Sequence, residues 1–289
     1  MKLIKLFSLL LIVFMFSKCG DPDVEITNST YEPKIAVEAY LFCGETVKNI
    51  RLSRNFELNK YQDMKNLFLS PSVNNVVATI NGIPLEFDES SKTYFNNQIT
   101  VDYWTTYKLE ISAVIDGKEL HASSVTTTPK KGFEIINKDL GTVKYRQAPL
   151  KIDFKTSPGT NLYVFSLMAD SAGVKNFIFD NPYFPGMSED DVLDNYNEYR
   201  YQYNLISDIN SNIITDYSYN VHGYDTWFYS PYTVTVYAGD KNFLYYLFTA
   251  SNVMEMDGNF HEPIVIFEGD GVGVFASAIK ETVRFNIIR

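Results

Sequence analysis

Residues 107–126 read YKLEISAVIDGKELHASSVT. Leu109, Ile111, Ala113 and Ile115 alternate up to Asp116-Gly117, and the chain then resumes an extended pattern through Thr126. Alternation with a period of two sends one row of side chains to a core and the other to solvent. Asp-Gly accepts the positive φ angles of a type I′ turn, so the stretch predicts a β-hairpin. Residues 76–80, Asn81-Gly82 and 83–87 repeat the same pattern. Two leading strands precede them: 34–41, with Ile35, Val37, Ala39 and Leu41 on one face, and 47–53, with Ile50 and Leu52. Between strand and hairpin, 55–70 loses its period and reads as a surface loop. These elements predict an N-terminal β-sandwich over 33–128, immunoglobulin-like or transthyretin-like.

Pro129-Lys130-Lys131-Gly132 is short, basic and turn-prone, and 129–132 is the expected linker to a second β-rich domain over 133–289. There Leu150, Ile152 and Phe154 alternate, and 161–169 is apolar enough to be covered on both sides. The most aromatic part is 173–232, where Ser188 should N-cap a short helix with Glu189, Asp190 and Asp191 in its first turn. Tyr199, Tyr201 and Tyr203 are expected on one strand face. After a strand at 233–238, Asp240 reads as the N-cap of a helix over 241–254, with Phe243, Leu244, Leu247 and Phe248 at helical spacing. Strands at 263–268 and 272–275 around a glycine turn complete a mainly β chain of two sandwich-like domains.

Lys2 and Lys5 followed by the apolar run 6–16 (LFSLLLIVFMF) form a signal peptide over 1–18. At roughly eleven residues the run is too short to cross a hydrocarbon core, which needs about twenty. Phe16-Ser17-Lys18-Cys19-Gly20 resembles a bacterial lipobox, whose cysteine carries diacylglycerol and becomes the first mature residue. Acyl chains on Cys19 would tether the protein, each buried methylene contributing ~0.8 kcal/mol. The alternative is an ordinary secretory signal with an incidental cysteine. Residues 19–32 are acidic and polar, which suits a spacer, and the acids after Cys19 resemble the surface-export signal of Bacteroidetes lipoproteins.

The 289 residues carry a formal charge of −10, and removing 1–18 takes away three lysines and no acid, leaving about −13. Such a chain, without basic runs, does not suit nucleic acid. With Cys19 lipidated, Cys43 has no disulfide partner and is expected to act as a small buried hydrophobe. The 21 Tyr and 21 Phe, against 15 Gly and 11 Pro, favour strands.

The C-terminal order is a strand, an Asp-capped helix, Asp257-Gly258-Asn259-Phe260, Glu262-Pro263, a strand, then Gly269-Asp270-Gly271-Val272-Gly273-Val274-Phe275. With the lipobox, Pro33-Lys34-Ile35-Ala36-Val37-Glu38 and Ile50-Arg51-Leu52-Ser53-Arg54, it resembles a Bacteroidetes lipoprotein family catalogued as domain of unknown function 4249. Asp270 departs from it, standing where a second glycine is common. The resemblance implies an outer-membrane lipoprotein, often encoded beside a TonB-dependent transporter, and it supplies no catalytic residues.

Other constellations fail on geometry. His121, His222 and His261 are isolated, and His261-Glu262 lacks the second histidine of a zinc protease because position 265 is Val and Pro263 breaks the helix. Gly269, Gly271 and Gly273 precede a strand, not a helix, so close strand packing explains them better than a dinucleotide. Asp208, Asn210 and Asn212 begin like a calcium loop that Ile213 and Tyr219 then break. Asp190, Asp191, Asp194 and Glu198 read as a solvated acidic helix face, with an irregular calcium site as the alternative.

No catalytic residue, metal or cofactor is therefore expected. The expectation is a non-enzymatic outer-membrane lipoprotein held by Cys19, facing the cell exterior and assisting a TonB-dependent transporter or its cargo. The alternative is a glycan-binding surface lipoprotein using the aromatic segment 196–232. Tyr199, Tyr201, Tyr203, Trp227 and Tyr229 are its candidate contacts, because aromatic rings stack on sugars and anchor protein interfaces. Against this stands the reading that most of these rings pack the second domain's own core.

Overall fold

In the computed structural model both tight turns form as expected. Asn81 and Gly82 take φ 51° and 78°, and Asp116 and Gly117 take 52° and 77°. The structure describes residues 31–57, 67–145, 150–182, 185–206, 209, 212–250 and 266–289. The expected signal peptide, Cys19, most of the expected acidic spacer, Asp208, Asn210 and His261 lie outside the described residues. Pro33–Arg289 forms one unit and Met1–Glu32 another.

The N-terminal lobe is built from β1 (Ile35–Phe42), β2 (Thr46–Arg54), β3 (Val77–Ile80), β4 (Ile83–Pro84), β5 (Glu86–Asp88), β6 (Thr93–Thr100), β7 (Thr106–Ile115) and β8 (Lys118–Thr127). The C-terminal lobe adds β9 (Glu134–Ile135), β10 (Asp139–Lys144), β11 (Leu150–Lys155), β12 (Leu162–Ala169), β13 (Tyr201–Ile206), β14 (Asp216–Val221), β15 (Pro231–Gly239), β16 (Glu268–Gly269) and β17 (Gly271–Ile288). One nine-stranded sheet runs β13-β12-β15-β17-β1-β2-β6-β5, with β10 also paired to β17. Sheet β16-β8-β7-β3-β4 shares the first hydrophobic core with its N-terminal half, and sheet β14-β11-β9 shares the second with its C-terminal half. The protein is therefore mainly β, a pair of sandwiches.

The predicted alternation sets the first core: Ile35, Val37, Ala39 and Leu41 face Leu109, Ile111, Ala113 and Ile115. The second core is aromatic, with Phe154, Tyr163, Phe165 and Phe228 buried. The expected linker lies between the two cores, but 133–289 is not self-contained. Phe267 and Phe275 belong to the first core, and β17 lies parallel to β1 from Ile35↔Gly271 to Phe42↔Ala278 before running antiparallel to β15. At 18 residues β17 is far longer than the expected strand at 272–275 and serves both sandwiches.

The glycines around the start of β17 permit this approach. A Cβ on Gly273 (φ 108°) would lie 2.2 Å from the Val37 carbonyl oxygen, and one on Gly269 (φ 82°) 2.3 Å from that of His121. Close packing, not a phosphate cradle, is their role. Asp270 joins the same corner: its carbonyl accepts from Ile35 N–H at 2.9 Å, and its N–H donates to His121 O at 2.7 Å.

Both expected caps are present. Ser188 and Asp191 form a reciprocal capping box on Glu189–Asp194, and Asp240 accepts from Phe243 N–H at 2.9 Å on the helix Lys241–Ala250. The remainder of the helix expected to 254 is outside the described residues. No helix among the described residues is long and apolar enough to cross a membrane.

Candidate ligand-binding site

The aromatic segment divides between core and surface. Trp227 is only 5% exposed. Its ring stacks on Phe177 at 5.9 Å and meets Tyr199 at 4.7 Å, so it faces the protein and not solvent. Tyr199 does not share a strand face with Tyr201 and Tyr203, because the helix Tyr196–Arg200 carries it inward before β13 begins. Tyr229 is half-buried, its ring under the Arg289 guanidinium at 5.3 Å and its hydroxyl 3.5 Å from Asp180. Tyr201 and Tyr203 do reach solvent, at 47% and 60% exposure. They lie opposite Met168 and Ser166 on β12, the face turned away from the core residues Leu167 and Phe165.

The acidic helix face gathers no ligand set. Asp191 accepts from the Ser188 backbone N–H at 2.8 Å and hydroxyl at 2.7 Å, bonds that hold its carboxyl below the usual carboxylate range. Among the described residues no three His, Cys, Asp or Glu side chains converge as a metal site would require. The Cys43 thiol is free, half-buried, and pushed up to about 11 by burial. It packs on the second core despite its place at the end of β1.

The other tryptophan is the exposed one. Trp104, between β6 and β7, is 64% exposed and has φ 50°, in the left-handed region that bulky residues avoid. Its backbone N–H donates to Pro129 O at 3.1 Å, and the Lys130 ammonium lies 4.3 Å from its ring centroid, within cation–π range. Trp104 borders a cleft of about 460 Å³. Residues 127–130, 158–162 and 239–241, with Leu244, complete the lining where the lobes meet. The volume suits a small ligand.

Asp240 fixes one side of this cleft. Its carboxylate accepts from the Thr126 hydroxyl and from the backbone N–H groups of Phe243 (2.9 Å) and Ser277 (3.1 Å), so it joins β8, β17 and the helix. Burial raises its pKa, and these hydrogen bonds pull the other way. Asn242 adds two more links, donating to Val125 O at 2.7 Å and Phe275 O at 2.9 Å. A groove of about 470 Å³ on the β16-β8-β7-β3 sheet presents Glu110, His121 and Glu268 but no Phe, Tyr or Trp ring.

The sequence expectations passed over Trp104. The signal was its setting: a lone tryptophan in Asp102-Tyr103-Trp104-Thr105, a loop too short and polar to bury an indole.

No protein-family model matches the chain, and no curated protein matches it. Among solved structures it is similar to titin domains Z1Z2 in complex with telethonin, at 10% identity and TM-score 0.20, covering 90% of this chain and 98% of that one. It is also similar to a bacterial ice-binding adhesin concerned with host cell surface retention, at 10% identity and TM-score 0.21, covering 90% and 66%. A third is a SusE-like surface-located polysaccharide-binding protein from the heparin utilisation locus of Bacteroides thetaiotaomicron, at 9% identity and TM-score 0.21, covering 88% and 33%. At these scores none identifies a relative.

Proposed function

We propose that the protein is a non-enzymatic lipoprotein of the outer membrane, held by acylated Cys19 and facing the cell exterior, that assists a TonB-dependent transporter by binding the receptor or its cargo. The leader and the resemblance to the family of unknown function 4249 support the location and the partner. The structural observation that carries the binding role is the pair Tyr201 and Tyr203, exposed on β13 at the end of the nine-stranded sheet. A terminal strand offers unpaired backbone groups for another chain, and tyrosine supplies apolar area with a polar tip at low entropic cost.

The test is a pull-down of C-terminally tagged protein from gently solubilised outer membranes. The expected result is a stoichiometric TonB-dependent transporter that is lost with Tyr201→Ala/Tyr203→Ala. A Cys19→Ala variant that still fractionates with membranes, or wild-type protein that takes up no labelled fatty acid, would overturn the anchor, and recovery without any transporter would overturn the partner. Because Trp227 is buried, a glycan-binding reading finds its aromatic platform at Trp104 instead.

A further inference from the structure

The cleft beside Trp104 has a chemistry of its own. Its indole stays in solvent although the turn pays for that placement with a left-handed backbone. Two lysines line the cleft, Lys130 and Lys241, and among the described residues neither ammonium makes an ion pair. Each lies instead over an aromatic ring, Lys130 over Trp104 and Lys241 over Tyr245 at 5.0 Å. The one acid in the lining, Asp240, already has its oxygens occupied by Thr126, Phe243 and Ser277. Asn161 adds an exposed amide able to donate and accept.

A flat apolar ring, two ammonium groups and an amide, with no uncommitted carboxylate, match a ligand with a C–H face, hydroxyls and negative charge. On a chain that is strongly acidic overall, a cationic lining selects for such an anion. We propose that this cleft binds an acidic saccharide, a uronate or sulfated sugar whose ring lies on Trp104 and whose acid group meets the lining lysines. As a transporter's cargo the saccharide rests on the function proposed above; as a binding site it rests on the cleft alone.

The experiment is titration calorimetry on the full-length protein in detergent micelles with three probes: oligogalacturonate, a sulfated galactan oligosaccharide and neutral galacto-oligosaccharide. At least one acidic probe should bind, weakening with added salt, and the neutral one should bind about tenfold more weakly or worse. Which acidic probe wins separates carboxylate from sulfate recognition. Trp104→Asn removes the ring while keeping a residue that tolerates the left-handed turn, so it should melt no lower than wild type and lose binding about tenfold or more. Lys241→Gln should weaken the acidic probe and leave the neutral one unchanged. Equal binding of neutral and acidic probes, wild-type affinity in folded Trp104→Asn, or no heat from any probe would overturn the proposal. Transporter co-purification with Trp104→Asn reports on the accessory function separately, since Tyr201 and Tyr203 are untouched.

Discussion

The Tyr232 hydroxyl accepts from the backbone N–H groups of Trp227 and Phe228, at 3.0 and 2.9 Å. Its ring stacks on Phe285 at 5.1 Å, so one buried side chain ties the turn before β15 to β17. Tyr232→Phe keeps the stacking and removes the acceptor that two buried donors share. It should cost about 1–3 kcal/mol, read as a lower urea midpoint with an unchanged slope. The two tryptophans show what was legible at this scale. Composition marks aromatic residues as candidates, but whether an indole packs or protrudes depends on what the fold brings opposite it. Phe177 and Tyr199 meet the Trp227 ring, whereas among the described residues the ring of Trp104 is met by the Lys130 ammonium.

Elements were legible where local chemistry decides them. The two I′ turns, the β7–β8 hairpin and both helix caps follow from a few adjacent residues. Strand β6 was not: a β-bulge breaks its register with β2, and its Asn96 side chain accepts from the backbone of Gln98 and Ile99, so no alternation survives. The length of β17 was hidden for another reason, since its first partner, β1, lies at the far end of the chain. Gly273→Ala would drive a Cβ into the Val37 carbonyl and should destabilise by more than about 4 kcal/mol, seen as loss of soluble, cooperatively melting protein. Asp240 gives a pH signature. Its folded pKa is raised from 3.8, so the folded state binds this proton more tightly than the unfolded chain. Its contribution is greatest below the unfolded value and is lost as pH rises through the folded one. Wild type should therefore gain stability relative to Asp240→Asn as pH falls through that window, measured as the difference between their melting temperatures.

At the scale of the whole molecule, two cores do not make two independent domains. Because β17 completes both sandwiches, a fragment ending at 128 lacks the parallel neighbour of β1, together with Phe267 and Phe275. Calorimetry on residues 31–289 should show one unfolding transition, and the 31–128 fragment should fail to fold; two separate transitions would mean that each lobe holds itself together. The parallel pairing of β1 and β17 also bears on how the molecule takes a mechanical load. A pull entering at Lys34 and resisted through the C-terminal lobe runs along both strands, toward opposite ends of their eight paired positions. Their backbone bonds are then sheared together, not unzipped one at a time, so a pull applied at the N-terminal end of β1 loads all of them at once.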